Sequence, residues 1–419
     1  MPRDASLLVT YDYGSLPPVR LAQAAERNGC ALVFVTAGSD HAREMTPALE
    51  MLGSVVDAAG LEASGIADRV KRFEPEGIVT FSEGRIAPTA RLAHLLDLPY
   101  HRVEDVGAIT KKDLQRERLR DRGVDSVRFC EVARVADVGD ALARVGLPAI
   151  VKPTTGAASR HTVSVATEAE CAEAVTRILA DDRARTSSAR TTAVVEELLV
   201  GRPVEHPWGD YLAVDCLATG DEVRPVFVTS KFALAEPYRE RGGYGQASTV
   251  PAAELDAARD LACRAVHALG IRTGIADVEL KLTADGPRVI EVNGRLGGWV
   301  DDLSVRSGSA DPADIAVRAA LGLPVEPPAV SSGDRLAFHY LVLPPMSAHR
   351  VRDVRPGLYA LRDRPGVDRV SLSTHRGAVA DWRAGTDGTV ASVLGTADTH
   401  DQLADLVAEI EGADWIDYD

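Results

Sequence analysis

The sequence predicts a protein of mixed α/β and α+β class with more than one domain. Strands alternate with helices over about the first hundred residues, hairpins follow, and short strands between Pro and Gly turns fill the tail. A chain of 419 residues is also too long for one typical hydrophobic core, so two or three packed domains are expected. We place these domains at residues 1–103, 104–328 and 329–419.

The first domain has the pattern of a small parallel sheet with helices on both faces. Its predicted strands are residues 7–10, 31–36 and 77–81, and its predicted helices are 19–27 and 86–96. The loop after the first strand, residues 11–15, lacks the Gly-x-Gly-x-x-Gly pattern of a complete dinucleotide site. Loops at this position often bind ligands, but an ordinary turn is the preferred interpretation here.

The sequence after the first domain predicts hairpins in the middle of the chain and a small α+β domain at its end. The predicted helices are residues 113–122, 168–179 and 399–411. The predicted strands are residues 149–152, 161–165, 192–197, 211–219, 222–231, 276–282, 288–293, 337–343 and 370–373.

Composition narrows the classes of function. Hydrophobic residues make up 45% and charged residues 26%, as in an ordinary soluble protein, and the net charge of −15 argues against general affinity for nucleic acid or anionic membranes. No apolar run reaches membrane-spanning length and the start lacks a secretory pattern, so we expect a cytoplasmic protein. The five cysteines are widely spaced, which disfavours a disulfide framework or a zinc site.

Lysine is scarce in this chain, and its positions are informative. Of 47 basic residues only six are lysines: Lys71, Lys111, Lys112, Lys152, Lys231 and Lys281. A lysine that persists among so many arginines is a candidate for a role that needs a compact point charge, although a leftover surface lysine is the alternative.

Lys152 ends a buried strand and leads into a loop of small residues that contains Thr154, Gly156 and Ser159. Small residues let backbone N–H groups approach a phosphate, and a lysine beside them suits phosphate oxygens. This is not a Walker A motif, because the loop continues into a strand and lacks the Gly-Lys-Ser/Thr ending. Taken alone the pattern is weak, but it predicts that phosphate contacts alone hold a mobile loop closed.

Two glutamates in a predicted hairpin form the second candidate site. Alternation along the strands puts Glu291 and Asn293 on one face, and Glu279 on the partner strand can face them. Two carboxylates and an amide oxygen are hard ligands that suit Mg²⁺ held with nucleotide phosphates. Arg295 follows at once and adds a cation, which disfavours the alternative of an exposed polar sheet face.

A third segment, Glu196-Glu197-Leu198-Leu199, ends an apolar strand before Gly201. Backbone groups and a carboxylate at such a point could hold a nucleotide base and ribose. In isolation the segment would be interpreted as an ordinary strand end.

In this order and spacing the three features resemble the ATP-grasp superfamily over nearly the whole chain. The resemblance implies an ATP-grasp fold with an N-terminal Rossmann-like (pre-ATP-grasp) domain and a small C-terminal α+β domain, and it implies ATP and Mg²⁺ as cofactors. It assigns the two phosphate-binding lysines to Lys112 and Lys152, the latter followed by the loop with Thr154, Gly156 and Ser159. It assigns base binding to Glu196, Glu197 and the Leu199 backbone, and contact with the transferred phosphoryl group to Arg295. The magnesium ligands it implies are Glu279, Glu291 and Asn293.

Within the superfamily the chain looks most like the carboxylate–amine ligases that include bacterial L-amino-acid ligases. The signs are Phe81-Ser82-Glu83-Gly84, Thr229-Ser230-Lys231 and Arg295-Leu296-Gly297-Gly298. The resemblance implies amide formation from a small carboxylate and an amine through an acyl phosphate, with release of ADP and phosphate. It is compatible with a homodimer. A bicarbonate-activating carboxylase-like enzyme and a non-catalytic ATP-binding protein are the alternatives.

The chain departs from that group around the substrate. Where such ligases usually have Glu-x-Gly-His, this sequence has Glu240-Arg241-Gly242-Gly243, followed by Tyr244. The expected ribose-binding acid is displaced by Pro203, so Glu205 or Asp215 would have to serve. Lys231, Tyr244 and Arg306 are the weaker candidates for substrate contacts. The insert at Trp208 is either a lid or an ordinary surface loop. These departures favour a substrate from specialised metabolism.

Overall fold

The structure is a computed structural model that describes residues 5–181, 192–245, 249–326 and 335–419. The predicted boundary between the second and third domains, at 328/329, lies outside the described residues. Along the described parts of the chain, no helix is both long and apolar enough to cross a membrane.

The N-terminal part is a four-stranded parallel sheet with helices on both faces, as predicted. Its strand order is β3-β2-β1-β4. The strands are β1 (Ala5–Tyr11), β2 (Cys30–Thr36), β3 (Ser54–Asp57) and β4 (Pro75–Val79), and the helices are α1 (Pro18–Arg27), α2 (Asp40–Glu50), α3 (Ala63–Val70) and α4 (Ile86–Leu96). All seven residues of β1 are buried, because both faces of a parallel sheet are covered.

Three of these elements, α2, β3 and α3, have no counterpart in the sequence prediction. Helix α2 contains Pro47, and β3 is a short edge strand of which only Val56 is buried, so neither carries a strong periodic pattern.

The central part begins with two helices and a four-stranded antiparallel sheet of order β5-β8-β6-β7. These elements are α5 (Val106–Thr110), α6 (Lys112–Asp121), β5 (Phe129–Val132), α7 (Val138–Val145), β6 (Ala149–Pro153), β7 (Val163–Val165), α8 (Glu168–Ala180) and β8 (Ala193–Glu197). Helices α7 and α8 pack on this sheet around Val151, Val175 and Val195. The opposite side is left to face the rest of the chain.

An eight-stranded antiparallel sheet joins the central and C-terminal parts. Its order is β13-β12-β9-β10-β11-β14-β17-β16. The strands are β9 (Trp208–Thr219), β10 (Glu222–Phe232), β11 (Gly242–Gly245), β12 (Thr273–Thr283), β13 (Gly286–Asn293), β14 (Leu336–Val342), β16 (Val367–Leu372) and β17 (Ala391–Ala397). The C-terminal strands therefore extend the central sheet, whereas the sequence suggested a separate small domain.

Helices cover this sheet and tie it to the N-terminal part. They are α9 (Ala252–Leu269), α10 (Val300–Arg306), α11 (Pro312–Ala320) and α13 (His400–Gly412), while β15 (Val351–Val354), β18 (Ile416–Tyr418) and α12 (Gly357–Ala360) complete the chain. Helix α11 lies so close to β4 that a Cβ at Gly77 would collide with the backbone carbonyl of Ala320. This contact helps to bury one face of the parallel sheet.

Candidate active site

A cavity of about 1920 Å³ lies where the N-terminal sheet, the four-stranded sheet and the eight-stranded sheet meet. Thirteen of the predicted site residues line it. They are Lys112, Lys152, Gly156, Ser159, Glu196, Glu197, Leu199, Lys231, Glu279, Glu291, Asn293, Arg295 and Arg306. Thr154, Glu205 and Tyr244 do not line it.

A buried charge cluster joins the four-stranded sheet to β13. Lys152, only 5% exposed, pairs with Glu196 at 2.9 Å, and Arg116 grips both oxygens of the same carboxylate at 2.9 Å each. Arg116 also donates to the backbone carbonyls of Val289 and Ile290 at 2.6 and 2.7 Å. Burial alone would raise the pKa of Glu196, but Arg116 and Lys152 lower it to about 2.

This cluster changes the role expected for Glu196. The sequence suggested a carboxylate near the nucleotide base, whereas both oxygens are taken by Arg116 and Lys152. Glu196 is therefore the counter-ion that holds two buried cations in place, because a buried cation without a partner would be very costly. Arg116 was not among the predicted site residues, although it stands one turn after Lys112 on α6.

Lys112 stands at the first residue of α6 and reaches the end of β13. Its ammonium group pairs with Glu291 at 2.9 Å and donates to the Gly156 carbonyl at 2.8 Å. One turn on, the Gln115 side chain makes two hydrogen bonds of 2.8 Å to the backbone of Val292. Helix α6 is thus fastened to β13, which places Lys112, like Lys152, close enough to Glu291 to lower its pKa.

The predicted metal ligands come together on the hairpin β12–β13. Glu279 lies directly opposite Glu291, and Asp277 directly opposite Asn293. The Asn293 amide donates to Asp277 at 3.0 Å, which leaves its carbonyl oxygen for another partner. Asp277 was not among the predicted site residues, although it precedes Glu279 by two positions and shares its face of β12.

The two glutamates differ in charge environment. Burial is the main cause that raises the pKa of Glu279 to about 8, and Glu240, Asp277 and Glu291 add to it. Burial would also raise the pKa of Glu291, but Lys112 and Lys152 bring it below its ordinary value. The two facing carboxylates and the carbonyl oxygen of Asn293 are hard oxygen ligands, so this set fits a divalent cation. Among the described residues, no three His, Cys, Asp or Glu side chains converge on a metal position.

Arg295 projects from the loop after β13 toward the N-terminal part. Its guanidinium lies 3.6 Å from Glu83 and 3.9 Å from Asp277. Burial raises the pKa of Glu83 to about 7, against the opposing effect of Arg295 and Lys112. From the sequence, Glu83 was noted only as part of Phe81-Ser82-Glu83-Gly84, one of the motifs by which the chain resembles the amino-acid ligases. An acid in the loop region that follows a buried parallel strand was the signal that could have marked it.

Two of the weaker substrate candidates are cations already paired with carboxylates. Lys231 is buried and pairs with Glu240, and burial would lower its pKa, but Glu240, Glu279 and Asp277 raise it. Arg306 pairs with Asp302 at 3.0 Å and also with Asp368. Both side chains line the cavity, but their positive charges are already balanced by these carboxylates.

The third candidate, Tyr244, belongs to the core. It is 1% exposed, packs against the rings of Trp208 and Phe232, and its hydroxyl bonds to Thr249 at 2.9 Å. The structure therefore corrects the expectation of a substrate contact there. It corrects the idea of a lid at Trp208 as well, since that ring packs in the same aromatic cluster.

The expected ribose-binding acids also lie elsewhere. Glu205 is exposed outside the cavity, and Asp215 is fully buried and accepts a hydrogen bond from the Gly297 backbone at 2.8 Å. Thr154 is directed away from the cavity, because its hydroxyl bonds to Thr192 at 3.0 Å. These three assignments are not supported by the positions of the side chains.

The comparisons agree with this architecture. A family model described as an ATP-grasp domain matches residues 145–302. The crystal structure of an L-amino acid ligase from Bacillus licheniformis superposes with a TM-score of 0.77 at 22% identity and covers 100% of both chains. This chain has the ATP-grasp fold, and residues 145–302 match an ATP-grasp domain. The predicted ATP-grasp fold is confirmed over the whole chain, with the parallel sheet at the N-terminus.

Sequence relatives of this protein carry ligase and synthase names. Human carnosine synthase 1 is 26% identical over 73% of this chain and 38% of its own length. Alanine–anticapsin ligase from Bacillus subtilis (strain 168) is 25% identical over 54% of this chain and 50% of its own length. The matched segments thus span half or less of these two relatives.

Proposed function

We propose that this protein is an ATP-dependent carboxylate–amine ligase. It forms an amide bond through an acyl phosphate and releases ADP and phosphate. The names of the relatives, alanine–anticapsin ligase, carnosine synthase and L-amino acid ligase, support this class of reaction.

The observation that carries the proposal is the meeting of three cations and a carboxylate pair in one cavity. Lys112, Lys152 and Arg295 line the same space as Glu279 and Glu291. A carboxylate and a γ-phosphate repel each other, so any site that brings them together needs positive charge on both. The size of the cavity, about 1920 Å³, is ample for a nucleotide and two small substrates.

The proposed chemistry follows from this charge distribution. A carboxylate oxygen of the substrate attacks the γ-phosphorus, and the bond from that phosphorus to the bridging oxygen of ADP breaks. The amine nitrogen then attacks the acyl carbon, loses a proton, and phosphate leaves with its oxygen. Lys112 and Lys152 bind phosphate oxygens, and Arg295 stabilises the phosphoryl group in transfer. Within the described parts of the chain, we assign no covalent nucleophile.

Glu279, Glu291 and the carbonyl oxygen of Asn293 would hold Mg²⁺. A bound Mg²⁺ would neutralise charge that develops on the transferred phosphate. The facing positions of Glu279 and Glu291 on β12 and β13 support this assignment, because they bring two hard oxygen ligands together.

We further propose a substrate outside the common dipeptide set. The sequence departs from the amino-acid ligases within residues 238–248, of which 246–248 lie outside the described residues. Tyr238 and Glu240 of this segment line the cavity. Glu240 stands beside Lys231 and close enough to Glu279 to raise its pKa. A changed wall next to the reacting centre alters which acid or amine fits there.

The test is a substrate screen with the full chain, Mg²⁺ and ATP. Amino acids and other small carboxylates are offered singly and in pairs, with phosphate release and product mass both recorded. Phosphate release that needs both a carboxylate and an amine, with a product lighter than the pair by one water, is the expected result. Efficient dipeptide formation from ordinary amino acids would refute the unusual substrate and leave the ligase standing.

A parallel incubation with bicarbonate addresses the carboxylase-like alternative. Phosphate release that depends on bicarbonate, without amide formation from any pair, would overturn the ligase proposal. ATP binding with no turnover in any arm would favour the non-catalytic alternative. The Glu291→Ala variant provides the background rate for each incubation.

A further inference from the structure

The loop of small residues that follows Lys152 contacts a distant part of the chain. Residues Trp382–Gly388, here called the latch segment, form a short irregular 3₁₀ stretch before β17. The Thr386 backbone N–H donates to the Ala158 carbonyl at 2.9 Å, and the His161 N–H donates to the Arg383 carbonyl at 3.0 Å. Two backbone hydrogen bonds therefore join segments more than two hundred residues apart in sequence.

Gly385 lets the two backbones approach this closely. Its φ is 62° and its ψ is −133°, a conformation that side-chain-bearing residues rarely adopt. A Cβ there would collide with the Ala158 carbonyl oxygen and lie 2.8 Å from the Ser159 carbonyl carbon. Gly377, by contrast, has a φ of 86° but nothing within 4 Å of a Cβ.

The loop itself has a costly backbone shape. Ala158, Ser159 and His161 have φ values of 65°, 53° and 54°, in the left-handed region. Each such residue costs about 1 kcal/mol relative to an ordinary conformation, so other contacts must hold the loop. Asp181 contributes from the other side, since it pairs with Arg160 at 2.9 Å and His161 at 2.8 Å.

The latch segment meets the loop beside the reacting centre. Gly156 and Ser159 of the loop line the cavity, and so do Thr386 and Asp387 of the latch segment. The Gly156 carbonyl in turn accepts a hydrogen bond from Lys112 at 2.8 Å. Sequence reasoning expected only phosphate contacts to hold this loop closed, whereas the protein supplies contacts of its own.

We propose that the latch segment positions the small-residue loop over the phosphate site, with Gly385 and Thr386 as positioning residues. The catalytic consequence rests on the proposed ATP-dependent function. If the loop is already closed, nucleotide binding does not have to supply the free energy of closing it. If the loop opens more often, the apparent affinity for ATP falls in proportion to the fraction of molecules in which the loop is closed. Saturating ATP would close the loop again and restore turnover.

The structural part is tested by hydrogen exchange on the full chain without nucleotide. In the parent, the amides of His161 and Thr386 should exchange slowly and at similar rates, because one contact protects both. In Gly385→Ala both should exchange about tenfold faster, as expected for loss of one or two net hydrogen bonds. Gly377→Ala is the matched control, since it adds the same methyl at positive φ where there is room.

The catalytic consequence is tested by measuring KM for ATP and kcat separately in the parent and the variants. Gly385→Ala should raise KM for ATP about tenfold and change kcat less than about threefold, while Gly377→Ala changes neither. Thr386→Pro removes one donor without a new Cβ at Gly385 and should give the same pattern, so the test survives if one variant fails to fold. Exchange within β17 reports whether the fold is intact.

Fast exchange of His161 and Thr386 in the parent would overturn the proposal, and so would a Gly385→Ala variant with unchanged loop exchange. A fall in kcat alone, with KM unchanged, would also count against a positioning role. If the parent neither binds nor hydrolyses ATP, the proposed function fails, but the exchange results still decide whether the latch segment holds the loop.

Discussion

Glu279 lies directly opposite Glu291 on β12 and β13, and within the described residues only Glu291 of the two forms a direct ion pair. Glu291 pairs with Lys112 at 2.9 Å, whereas Glu279 has a pKa raised to about 8 among other carboxylates. Glu291 therefore has a direct cationic partner, whereas Lys231 acts on Glu279 too weakly to offset burial and the neighbouring acids. A divalent cation between the two strands would give Glu279 a direct partner as well.

Replacing Glu291 with alanine should abolish phosphate release and leave the fold intact. The change removes one proposed metal ligand and the partner of Lys112, but little apolar packing, so we expect a loss of at least about a hundredfold in kcat/KM. Phosphate release measures the loss of activity, and the thermal midpoint of unfolding shows whether the fold is intact. Glu222→Ala, at an exposed strand position, is the control. Near-parental turnover in Glu291→Ala would contradict the metal assignment.

Lys152→Arg should be severely impaired although the charge is kept. Lys152 is 5% exposed, and Arg116 already grips Glu196 with a planar guanidinium, so a second guanidinium has neither the room nor a free carboxylate edge. We expect a fall of at least about tenfold in kcat/KM for ATP. Lys71→Arg, an exposed lysine paired with Asp68, should behave like the parent. Equal activity in both variants would show that the argument from scarce lysines is wrong.

The stability of the metal-free protein should fall as pH rises toward the alkaline side of neutrality. Glu279 has a folded-state pKa of about 8, above its unfolded value, so its stabilising contribution is complete in acid and is lost as pH rises through about 8. Glu83, with a pKa of about 7, acts in the same direction. Thermal midpoints between about pH 7 and pH 9 measure the slope, because the lowered pKa of the buried His101 and His339 makes stability rise with pH only below about pH 6.5.

The Glu279→Gln variant and added Mg²⁺ separate the causes of this fall in stability with pH. In Glu279→Gln the decline should shrink without vanishing, because Glu83 remains. Saturating Mg²⁺ should restore much of the parent's lost stability at high pH, since a divalent cation binds the ionised carboxylates and stabilises the folded state. A parent whose midpoint rises over this range would contradict the charge assignment.

Tyr244→Phe should affect stability and leave catalysis alone. The ring is buried among Trp208 and Phe232, and the change removes the hydroxyl that bonds to Thr249, which costs about 1 kcal/mol. The kcat/KM for the substrates should stay within about twofold of the parent. Tyr244→Ala, which leaves a cavity, should cost about 3 to 5 kcal/mol of unfolding free energy. A selective change in KM for one substrate in Tyr244→Phe would return this residue to the substrate site.

Sequence reasoning succeeded where a periodic pattern determines which side chains share a face. The prediction that Glu279 faces Glu291 needed only alternation along two strands joined by a turn, and the register confirms it. Helix α4 spans Ile86–Leu96, as predicted from its helical spacing.

Sequence reasoning failed where a face is covered by something distant in the chain. Tyr244 lies in a four-residue strand rich in glycine, and nothing local shows that β14 and the Trp208 ring cover it. The approach of Glu83 to Arg295 crosses from the first sheet to the loop after β13, and the latch segment reaches Ala158 from the far end of the chain. Such contacts depend on how whole sheets pack, which local propensity does not specify.

The unbroken sheet from β13 to β16 limits how this protein can be shortened. A chain cut after residue 326 would lose β14, whose residues pair with Gly242, Gly243 and Tyr244 of β11. The remaining fragment would present an unprotected strand edge with free N–H and C=O groups, and such edges recruit other chains. Expressed alone, the first three quarters of the protein should therefore aggregate, and efforts to obtain a minimal version should keep the last strands in place.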